Sequence, residues 1–427
     1  MSLSQDNDSG RIRDEVAGVP IADLVKEFGT PLFVYDASVI RSRLAELRRF
    51  DVVRYAQKAC SNLAVVDLLR RGGALVDAVS AGEIHRALAA GYEPSGDPPP
   101  IVYTADIFDH DALELVIARN IHVNCGSRDM IEQYGERVSG REITLRVNPG
   151  FGHGHSRKTN TGGDLSKHGI WHTQLHDALV EAEHYGLSVT GIHMHIGSGT
   201  DLEHLAQVCT AMEKAALEAG RNVRSISAGG GLPVPYRRED SQIDLAAYFE
   251  LWHGTRRRLE EVFGHAVRLE IEPGRYLVAE AGYLVCEIRA VKQQGENWFY
   301  LTDAGFNNLA RPILYGAYHP ISLAPREPRL VREWLEAVVG GPLCESGDIF
   351  TQEEGGFVTK RRLPAAAVGD HLVIEIAGAY GFVMGSNYNS KPYAAEVLVT
   401  DGKPRLVRRR QTHEELLAWD VLPDQIC

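Results

Sequence analysis

Eight short β-rich segments alternate with helical segments between about residue 50 and residue 280 of this 427-residue chain. Strands that alternate with amphipathic helices indicate repeated βαβ units and therefore a parallel sheet. Eight such units match a TIM-like (β/α)8 barrel, with a doubly wound open sheet as the alternative fold. The expected strands are Val52–Ala56, Ala74–Val79, Ile101–Thr104, His122–Cys125, Ile143–Val147, Val189–His195, Ser225–Ala228 and Val267–Ile271. The expected helices are Leu63–Arg71, Ala81–Ala90, Asp109–Arg119, Leu175–His184, Leu202–Ala219 and Leu245–Val262.

The pattern changes after residue 282, where short strand candidates are separated by Gly, Pro and Asp turns without long helices. This predicts an all-β C-terminal domain over 283–427, preceded by the barrel over 51–282. Residues 21–50 form an N-terminal segment whose strand Pro31–Tyr35 we expect to pair with the β domain, and residues 1–20 form a polar tail. The strands expected in the β domain are Tyr283–Val291, Trp298–Thr302, Ala337–Val339, Val358–Thr359, His371–Glu375 and Glu396–Val399, and Arg408–Leu417 is expected to be helical.

Charge and cysteine content argue against several classes of function. The chain has 45 Lys and Arg residues against 57 Asp and Glu residues, a formal net charge of −12, which disfavours nucleic acid and anionic membranes as partners. Its beginning does not resemble a signal peptide, and no stretch is long and apolar enough to span a membrane. The six cysteines are scattered without a CxxC pair, which is typical of reduced thiols. We therefore expect a cytoplasmic protein.

Lys58 follows the first expected strand, within the segment Tyr55–Ala59. The carboxyl ends of barrel strands are where barrel enzymes carry their active sites. A partly desolvated amine at that position is a good nucleophile, so Lys58 is a candidate catalytic residue. A surface lysine in a loop is the alternative interpretation.

Polar and glycine-rich segments also follow the last three expected strands. Alternation places His193 and His195 on one face of the sixth strand, as ring-stacking, acid–base or zinc-binding groups, or as buried hydrogen-bonded histidines. Gly229–Gly231 and Gly274–Arg275 follow the seventh and eighth strands, a place where barrels often bind phosphate, although flexible turns remain possible. Glu272 ends the eighth strand, where a carboxylate can hold a cationic ring nitrogen or form a structural salt bridge.

Six motifs resemble, in the same order, those of the fold-type III pyridoxal-phosphate decarboxylases (group 2 of the Orn/Lys/Arg decarboxylases), and within them the diaminopimelate decarboxylases. The similar motifs are Tyr55–Ala59, His193–Gly199, Gly229–Gly231, Glu272–Arg275, Cys344–Asp348 and Gly378–Gly381. The segment from Arg146–Gly150 to Ser166–Gly169 is also similar, and the resemblance spans roughly residues 20 to 420. It implies an alanine-racemase-like barrel that binds pyridoxal 5'-phosphate, followed by a C-terminal β domain.

The resemblance implies how the cofactor is bound. Lys58 would hold it as a Schiff base, His195 would stack on its ring and Glu272 would pair with its pyridine nitrogen. The residues implied to hold its phosphate are Ser198, Gly231, Gly274, Arg275 and Tyr380. No metal is implied, although zinc at His193 and His195 stays open on the residues alone.

The resemblance also implies the substrate site and the assembly. Cys344 would protonate the carbanion that decarboxylation leaves, which makes Lys58, Glu272, His195 and Cys344 the catalytic set. The residues implied to bind substrate are Arg275, Arg311, Tyr315, Glu345 and Tyr380. Cys344 and Glu345 would reach the site from the other subunit, so the active unit would be a homodimer.

The implied reaction is the decarboxylation of meso-2,6-diaminopimelate at its D centre to L-lysine and CO2, the last step of lysine biosynthesis. Glu272 favours a decarboxylase over the related racemases, which carry an arginine at that place. Arg275 and Arg311 suit a distal carboxylate, which ornithine and arginine lack. Open alternatives are a decarboxylase of another basic amino acid or of a carboxylated polyamine, a non-catalytic pyridoxal-phosphate-binding protein, which would lack the β domain, and a zinc hydrolase.

Overall fold

A computed structural model describes residues 10–152, 162–195, 201–327 and 329–423. The chain divides into two compact units, a barrel unit and a strand-rich unit. The barrel unit contains Ile40–Val234 and Ser241–Leu277, and the strand-rich unit contains Met1–Val39, Pro235–Asp240 and Val278–Cys427. Within the described ranges, no helix has the length and apolar character needed to cross a membrane.

The barrel unit is a closed sheet of eight parallel strands, which confirms the predicted (β/α)8 fold. Each strand pairs with the next one along the chain, and the eighth pairs with the first, with Glu270 opposite Val52. This closure rules out the open-sheet alternative. The strands are Val52–Ala56, Leu75–Ala78, Ile101–Ala105, His122–Cys125, Glu142–Asn148, Ser188–His193, Ser225–Ser227 and Arg268–Ile271, and a short extra strand, Ile170–Trp171, pairs with the fifth.

Six of the nine helices described for the barrel unit begin where a polar side chain caps a free backbone N–H group of the first turn. Ser80, Asp109 and Ser127, for example, each accept a hydrogen bond from an N–H group within that turn. The six predicted helices are present with ends within one residue of the prediction, whereas Ala37–Glu46, Arg128–Gly135 and Arg275–Val278 were not predicted. The helices are Ala37–Glu46, Leu63–Arg71, Ala81–Ala89, His110–Arg119, Arg128–Gly135, Leu175–His184, Leu202–Ala219, Leu245–Phe263 and Arg275–Val278.

The strand-rich unit is organised around the 13-residue strand Gly282–Gln294. This strand pairs antiparallel with Asn297–Thr302, His371–Ile374 and Leu32–Asp36. Leu32–Asp36 also pairs in parallel with Ala395–Thr400, so a strand from near the N-terminus lies inside this sheet. The other strands are Arg11–Ile12, Glu15–Val16, Val19–Pro20, Ile321–Ala324, Trp334–Gly340, Arg361–Pro364 and Lys403–Arg408, and the helices are Ile21–Phe28, Arg311–Tyr315 and His413–Leu417.

Two predictions for this unit are wrong. Arg408–Leu417 is not one helix, because Arg408 ends a strand and the helix covers only His413–Leu417. Asp401 and Gly402 have φ of 52° and 69° and form the two-residue turn of a hairpin between Ala395–Thr400 and Lys403–Arg408. The Asp-Gly dipeptide is typical of such turns and could have predicted the second strand. Val358 forms only an isolated bridge with Gln352, and the strand of that region begins at Arg361.

The segment Pro235–Asp240 groups with the strand-rich unit, although the sequence placed it within the barrel segment 51–282. The Arg237 guanidinium lies over the Tyr318 ring, 4.1 Å from its centroid. The ring of Tyr236 meets the ring of His319 edge to face, with centroids 5.4 Å apart. These cation–π and aromatic contacts, which sequence patterning does not reveal, account for the grouping.

The interior of the barrel is polar, whereas barrel interiors are commonly filled by branched apolar residues. Side chains from seven of the eight strands line a cavity of about 140 Å³, among them His122, Thr144 and Ser225. Arg54 from the first strand is buried there, and its Nη2 lies 2.8 Å from Oε2 of Glu270 on the eighth strand. An internal ion pair therefore joins the two strands at which the barrel closes.

We expect Arg54→Met to lower the free energy of unfolding by about 3 kcal/mol, because the buried Glu270 carboxylate would keep, within the described part of the chain, only the more distant guanidinium of Arg268, 3.9 Å away. Adding Glu270→Met should restore part of this loss by removing the unpaired charge. Arg49→Met is the control, because Arg49 pairs with Glu250 at the surface and its loss should cost about 1 kcal/mol or less. Chemical denaturation measures all four proteins, and a double variant less stable than Arg54→Met would contradict the ion-pair explanation.

Candidate active site

Lys58 lies in a short 3-10 turn, Gln57–Ala59, directly after the first barrel strand. Its two neighbours are buried, whereas Lys58 itself is exposed, so the expected partial desolvation of its amine is not observed. The Gln57 amide donates to the backbone carbonyl of Glu83 at 3.0 Å and holds the turn in place. The carboxylates of Asp77 and Glu83 both interact electrostatically with Lys58. The first strand thus ends in an accessible amine that faces two acids.

Glu272 is buried just beyond the eighth strand, and both of its carboxylate oxygens are hydrogen-bonded. Oε2 lies 2.7 Å from Nε2 of His193, and Oε1 accepts from the Ser227 hydroxyl at 2.9 Å. Burial by itself would raise the pKa of Glu272, but the His193 charge and these two hydrogen bonds outweigh it and hold the pKa well below its usual range. The ends of the sixth, seventh and eighth strands therefore meet around one ionised carboxylate.

His195 stands beside the glycine segment that follows the seventh strand. The Gly230 N–H donates to Nδ1 of His195 at 2.7 Å, so Nδ1 acts as an acceptor and the ring proton resides on Nε2. Burial holds the pKa of His195 well below its usual range, and the cations of Arg146 and Lys58 act in the same direction. His195 is therefore a neutral ring at this end of the barrel.

The glycines at 229 and 230 are required by close packing. Gly229 has φ of 62°, and a β carbon there would come within 2.4 Å of the Met194 carbonyl oxygen. A β carbon at Gly230 would come within 2.6 Å of the Glu272 carbonyl oxygen and 2.8 Å of the His195 ring. Any side chain at either position would push this segment away from the histidine and the glutamate.

The barrel residues that were expected to hold a phosphate lie in the segments that follow its last three strands. Gly231 is half-buried with φ of 99°. Gly274 is buried, and a β carbon there would lie 3.1 Å from the Ala56 carbonyl oxygen, which packs the eighth-strand loop against the first strand. Arg275 is half-buried at the start of the helix Arg275–Val278. Ser198 lies outside the described residues.

Asp77 is a buried acid that sequence reasoning missed. It is the penultimate residue of the second barrel strand, and its Oδ1 has no hydrogen-bond partner among the described residues. Burial raises the pKa of Asp77 to about 7, and the neighbouring charge of Glu272 acts in the same direction. The charge of Lys58 and a hydrogen bond with Thr104 lower the pKa, but they only partly offset this rise. The sequence feature that could have indicated this acid is that Asp77 is the one charged residue within the otherwise apolar segment Ala74–Val79. Sequence reasoning also missed Ser227 as a partner of Glu272.

In the strand-rich unit, Cys344 and Glu345 occupy an exposed but well-anchored loop. The buried carboxylate of Asp348 accepts from the N–H groups of Leu343 at 2.8 Å and Phe306 at 2.7 Å. The Cys344 N–H donates to the side-chain oxygen of Asn389 at 2.7 Å. The loop therefore holds a thiol and a carboxylate at the surface in a fixed backbone conformation.

Arg311, Tyr315 and Tyr380 lie in the same unit. Arg311 is buried and Tyr315 half-buried, at opposite ends of the short helix Arg311–Tyr315. Ile313 of this helix packs against Gly347 of the Cys344 loop, since a β carbon at Gly347 would lie 3.0 Å from its Cδ1. Tyr380 has φ of 57°, a left-handed conformation that is strained for a tyrosine and that often marks functional sites.

The structure thus brings Lys58, His195, Gly231, Glu272 and the Gly274–Arg275 loop to the carboxyl end of the barrel strands. It brings Arg311 and Tyr315 next to the Cys344 loop within the strand-rich unit. His193 and His195 do not act as a pair, because one bonds to Glu272 and the other to Gly230. This arrangement favours neither a shared zinc ion nor two equivalent histidines.

Comparison with known proteins identifies the relatives of this chain. The sequence model of the family described as pyridoxal-dependent decarboxylase, pyridoxal binding domain, matches residues 37–279. Diaminopimelate decarboxylase of Escherichia coli strain K12 is 54% identical over 401 residues, which cover 93% of this chain and 96% of that protein. The enzyme of the same name from Streptomyces coelicolor is 53% identical over 415 residues, covering 97% and 94%.

The chain is also similar to solved structures of proteins with the same name as these relatives. A crystal structure of diaminopimelate decarboxylase has a TM-score of 0.91 and 54% identity, covering 93% of this chain and 95% of that one. The Helicobacter pylori diaminopimelate decarboxylase, solved in complex with L-lysine, has a TM-score of 0.82 and 30% identity, covering 93% and 98%.

We expect the stability difference between the wild type and Asp77→Asn to depend on pH. Because the pKa of Asp77 is raised in the folded protein from 3.8 to about 7, its stabilising contribution is complete below about pH 4 and is lost as the pH rises through about 7. The asparagine variant should match the wild type near pH 4 and exceed it at pH 8 in thermal unfolding. Glu93→Gln, at an exposed acid, is the control and should show no such divergence. A constant difference across this pH range would contradict the assignment.

Proposed function

The chain belongs to the pyridoxal-dependent decarboxylase family, and on that premise we propose that it decarboxylates meso-2,6-diaminopimelate at the D centre to give L-lysine and CO2. This would be the last step of lysine biosynthesis. The observation that carries the proposal is 54% identity over 93% of the chain to diaminopimelate decarboxylase of Escherichia coli. The buried, ionised Glu272 at the carboxyl end of the barrel supports it independently.

The residues at the barrel mouth fit pyridoxal phosphate. Lys58 offers an accessible amine for its aldehyde, His195 a neutral ring for its face, and Glu272 a carboxylate for its pyridine nitrogen. The glycines at 229 and 230, where any β carbon would clash, let the backbone approach closely, as phosphate binding requires. When bound, this cofactor delocalises the electron pair that loss of CO2 leaves on the substrate carbon.

Each of these residues then has a definite task. Lys58 would hold the cofactor covalently, and Glu272, which stays ionised at neutral pH, would keep a proton on the pyridine nitrogen. The Gly231 and Gly274–Arg275 loops, with Ser198 and Tyr380, take the phosphate. His195 would pack on the face of the cofactor ring and so limit its movement.

Charged side chains recognise the carboxylate and the ammonium at the end of the substrate that does not react. Arg275 and Arg311, with Tyr315, bind the carboxylate at the L centre, which is retained in the product, and Glu345 with Tyr380 binds the ammonium beside it. Cys344 delivers a proton to the carbon that has lost CO2. A buried arginine such as Arg311 favours a substrate with a distal carboxylate over the alternative decarboxylases, whose amino-acid substrates lack one.

The proposed active unit is a homodimer in which the Cys344 loop serves the barrel of the other subunit. Its support is that Cys344 and Glu345 are exposed on a loop anchored by Asp348, where a partner can reach them. Exposed apolar residues of the same unit, such as Leu314 and Phe357, also suit contact with a second copy. The exposed free thiol of Cys344 favours a reducing compartment, consistent with a cytoplasmic enzyme.

Purified protein with pyridoxal phosphate should release CO2 and L-lysine from meso-diaminopimelate, and not from ornithine, arginine or a carboxylated polyamine. Borohydride reduction followed by peptide mapping should place the pyridoxyl group on Lys58. Lys58→Ala should lose all measurable turnover, because the amine that holds the cofactor is gone, whereas Lys167→Ala, at another exposed lysine, should keep it. Labelling of a different lysine, or preference for another substrate, would overturn the proposal.

Mixing Cys344→Ala with Lys58→Ala should restore about a quarter of the wild-type activity from two inactive parents. Random exchange makes half of the dimers mixed, and each mixed dimer has one intact site if the sites are shared. The matched control is Cys344→Ala mixed with Glu345→Ala. Both changes lie on the same loop, so every mixed site keeps one defect and activity stays at the parental level. If exchange is verified and neither mixture recovers, the site is not shared.

A further inference from the structure

The strand-rich unit contains a buried histidine that contacts the guanidinium of Arg311. His319 is buried, and its Nε2 lies 2.9 Å from Nη1 of Arg311. On the other side of the ring, Nδ1 lies 2.9 Å from the backbone carbonyl oxygen of Glu375. The imidazole therefore bridges a buried guanidinium and a fixed point of the backbone.

These two contacts define the protonation of His319. A backbone carbonyl can only accept, so the ring proton must reside on Nδ1. A guanidinium can only donate, so Nε2 must carry its lone pair. His319 is consequently neutral while both contacts persist, and it binds Arg311 without compensating the charge of the guanidinium. A carboxylate at this position would also orient the arginine but would compete with any anion that the arginine binds.

The surroundings hold the pair in place. The Arg311 guanidinium lies over the Tyr236 ring, 4.7 Å from its centroid, and the same ring meets His319 edge to face. Glu375 is itself anchored, because its N–H donates to the Pro320 carbonyl and its carboxylate binds the guanidinium of Arg13. A hydrogen bond at one edge and an aromatic face together determine the plane of the Arg311 guanidinium.

We propose that His319 is a positioning residue that sets the plane of Arg311 for the carboxylate at the L centre of the substrate, and so contributes to selection of substrates with a distal carboxylate. This inference rests on the function proposed above. Two parallel N–H donors must match the plane of a carboxylate to bind it bidentately, and small misorientations weaken such contacts strongly. Tyr236, from the segment Pro235–Asp240, contributes to the same positioning.

The test compares two substitutions of His319, each of which can keep a different one of its two hydrogen bonds. In His319→Asn the amide nitrogen can replace Nδ1 toward Glu375, but the acceptor for Arg311 is lost. In His319→Gln the amide oxygen reaches the place of Nε2, so the acceptor is kept. His371→Asn is the control, because His371 is a buried histidine on a strand of the same unit.

Two probes separate carboxylate recognition from general damage. L-lysine keeps the carboxylate of the L centre, whereas cadaverine has the same two amines and no carboxylate. For the holoenzyme, isothermal titration should show His319→Asn raising the dissociation constant of L-lysine about tenfold, the loss of one well-aligned contact. His319→Gln and His371→Asn should stay within about threefold of the wild type. Cadaverine should bind all four proteins equally, and KM for meso-diaminopimelate should rise in His319→Asn with little change in kcat.

Unchanged L-lysine affinity in His319→Asn would overturn the positioning role. So would equal weakening of L-lysine and cadaverine, which indicates structural damage. Failure of the proposed function would appear in the wild type instead, as an enzyme that does not prefer L-lysine to cadaverine, and it would remove the substrate role of Arg311 along with that of His319.

Discussion

The ends of three barrel strands depend on one buried carboxylate. Glu272 is stable in the interior only because His193 and Ser227 bond to its two oxygens, and each of these comes from a different strand. Ser227 also accepts from the Gly229 N–H at 3.2 Å, and the Glu272 N–H donates to the Gly229 carbonyl. The carboxylate and the glycine segment thus determine each other's positions, which places an acid and a backbone cradle at the same end of the barrel.

The centre of the barrel and the core of the strand-rich unit are filled by different kinds of side chain. Inside the barrel, paired charges such as Arg54 and Glu270 replace part of the usual apolar filling, at a desolvation cost that only good geometry offsets. The strand-rich unit has a conventional core in which Leu24, Val285 and Val397 are fully buried. A polar interior suits a unit that must bind a charged cofactor, since buried charges tune the protonation of their neighbours, as they do at Asp77.

The barrel was predictable because its signals are local. Val52–Ala56 and His122–Cys125 have the same bounds in the prediction and in the structure, since the regular alternation of short strand-forming segments with helical segments locates them along the chain. The partnership of His193 with Glu272 was not predictable, because 79 residues separate them and alternation only places His193 and His195 on one face. His319 was missed for a different reason: only eight residues separate it from Arg311, but the helix Arg311–Tyr315 ends between them, so no helical or strand periodicity predicts their contact.

The strand Leu32–Asp36 has a consequence for the order of events during synthesis. Its partners, Gly282–Gln294 and Ala395–Thr400, leave the ribosome only after nearly all of the intervening chain has been made. At the usual rates of translation this strand waits roughly 20–70 s for its second neighbour. The residues of the barrel emerge during that interval, so a nascent chain can close the barrel while its own beginning is still unpaired. Until then the waiting segment, with Leu32, Phe33, Val34 and Tyr35 all buried in the finished protein, is an apolar edge that chaperones can bind.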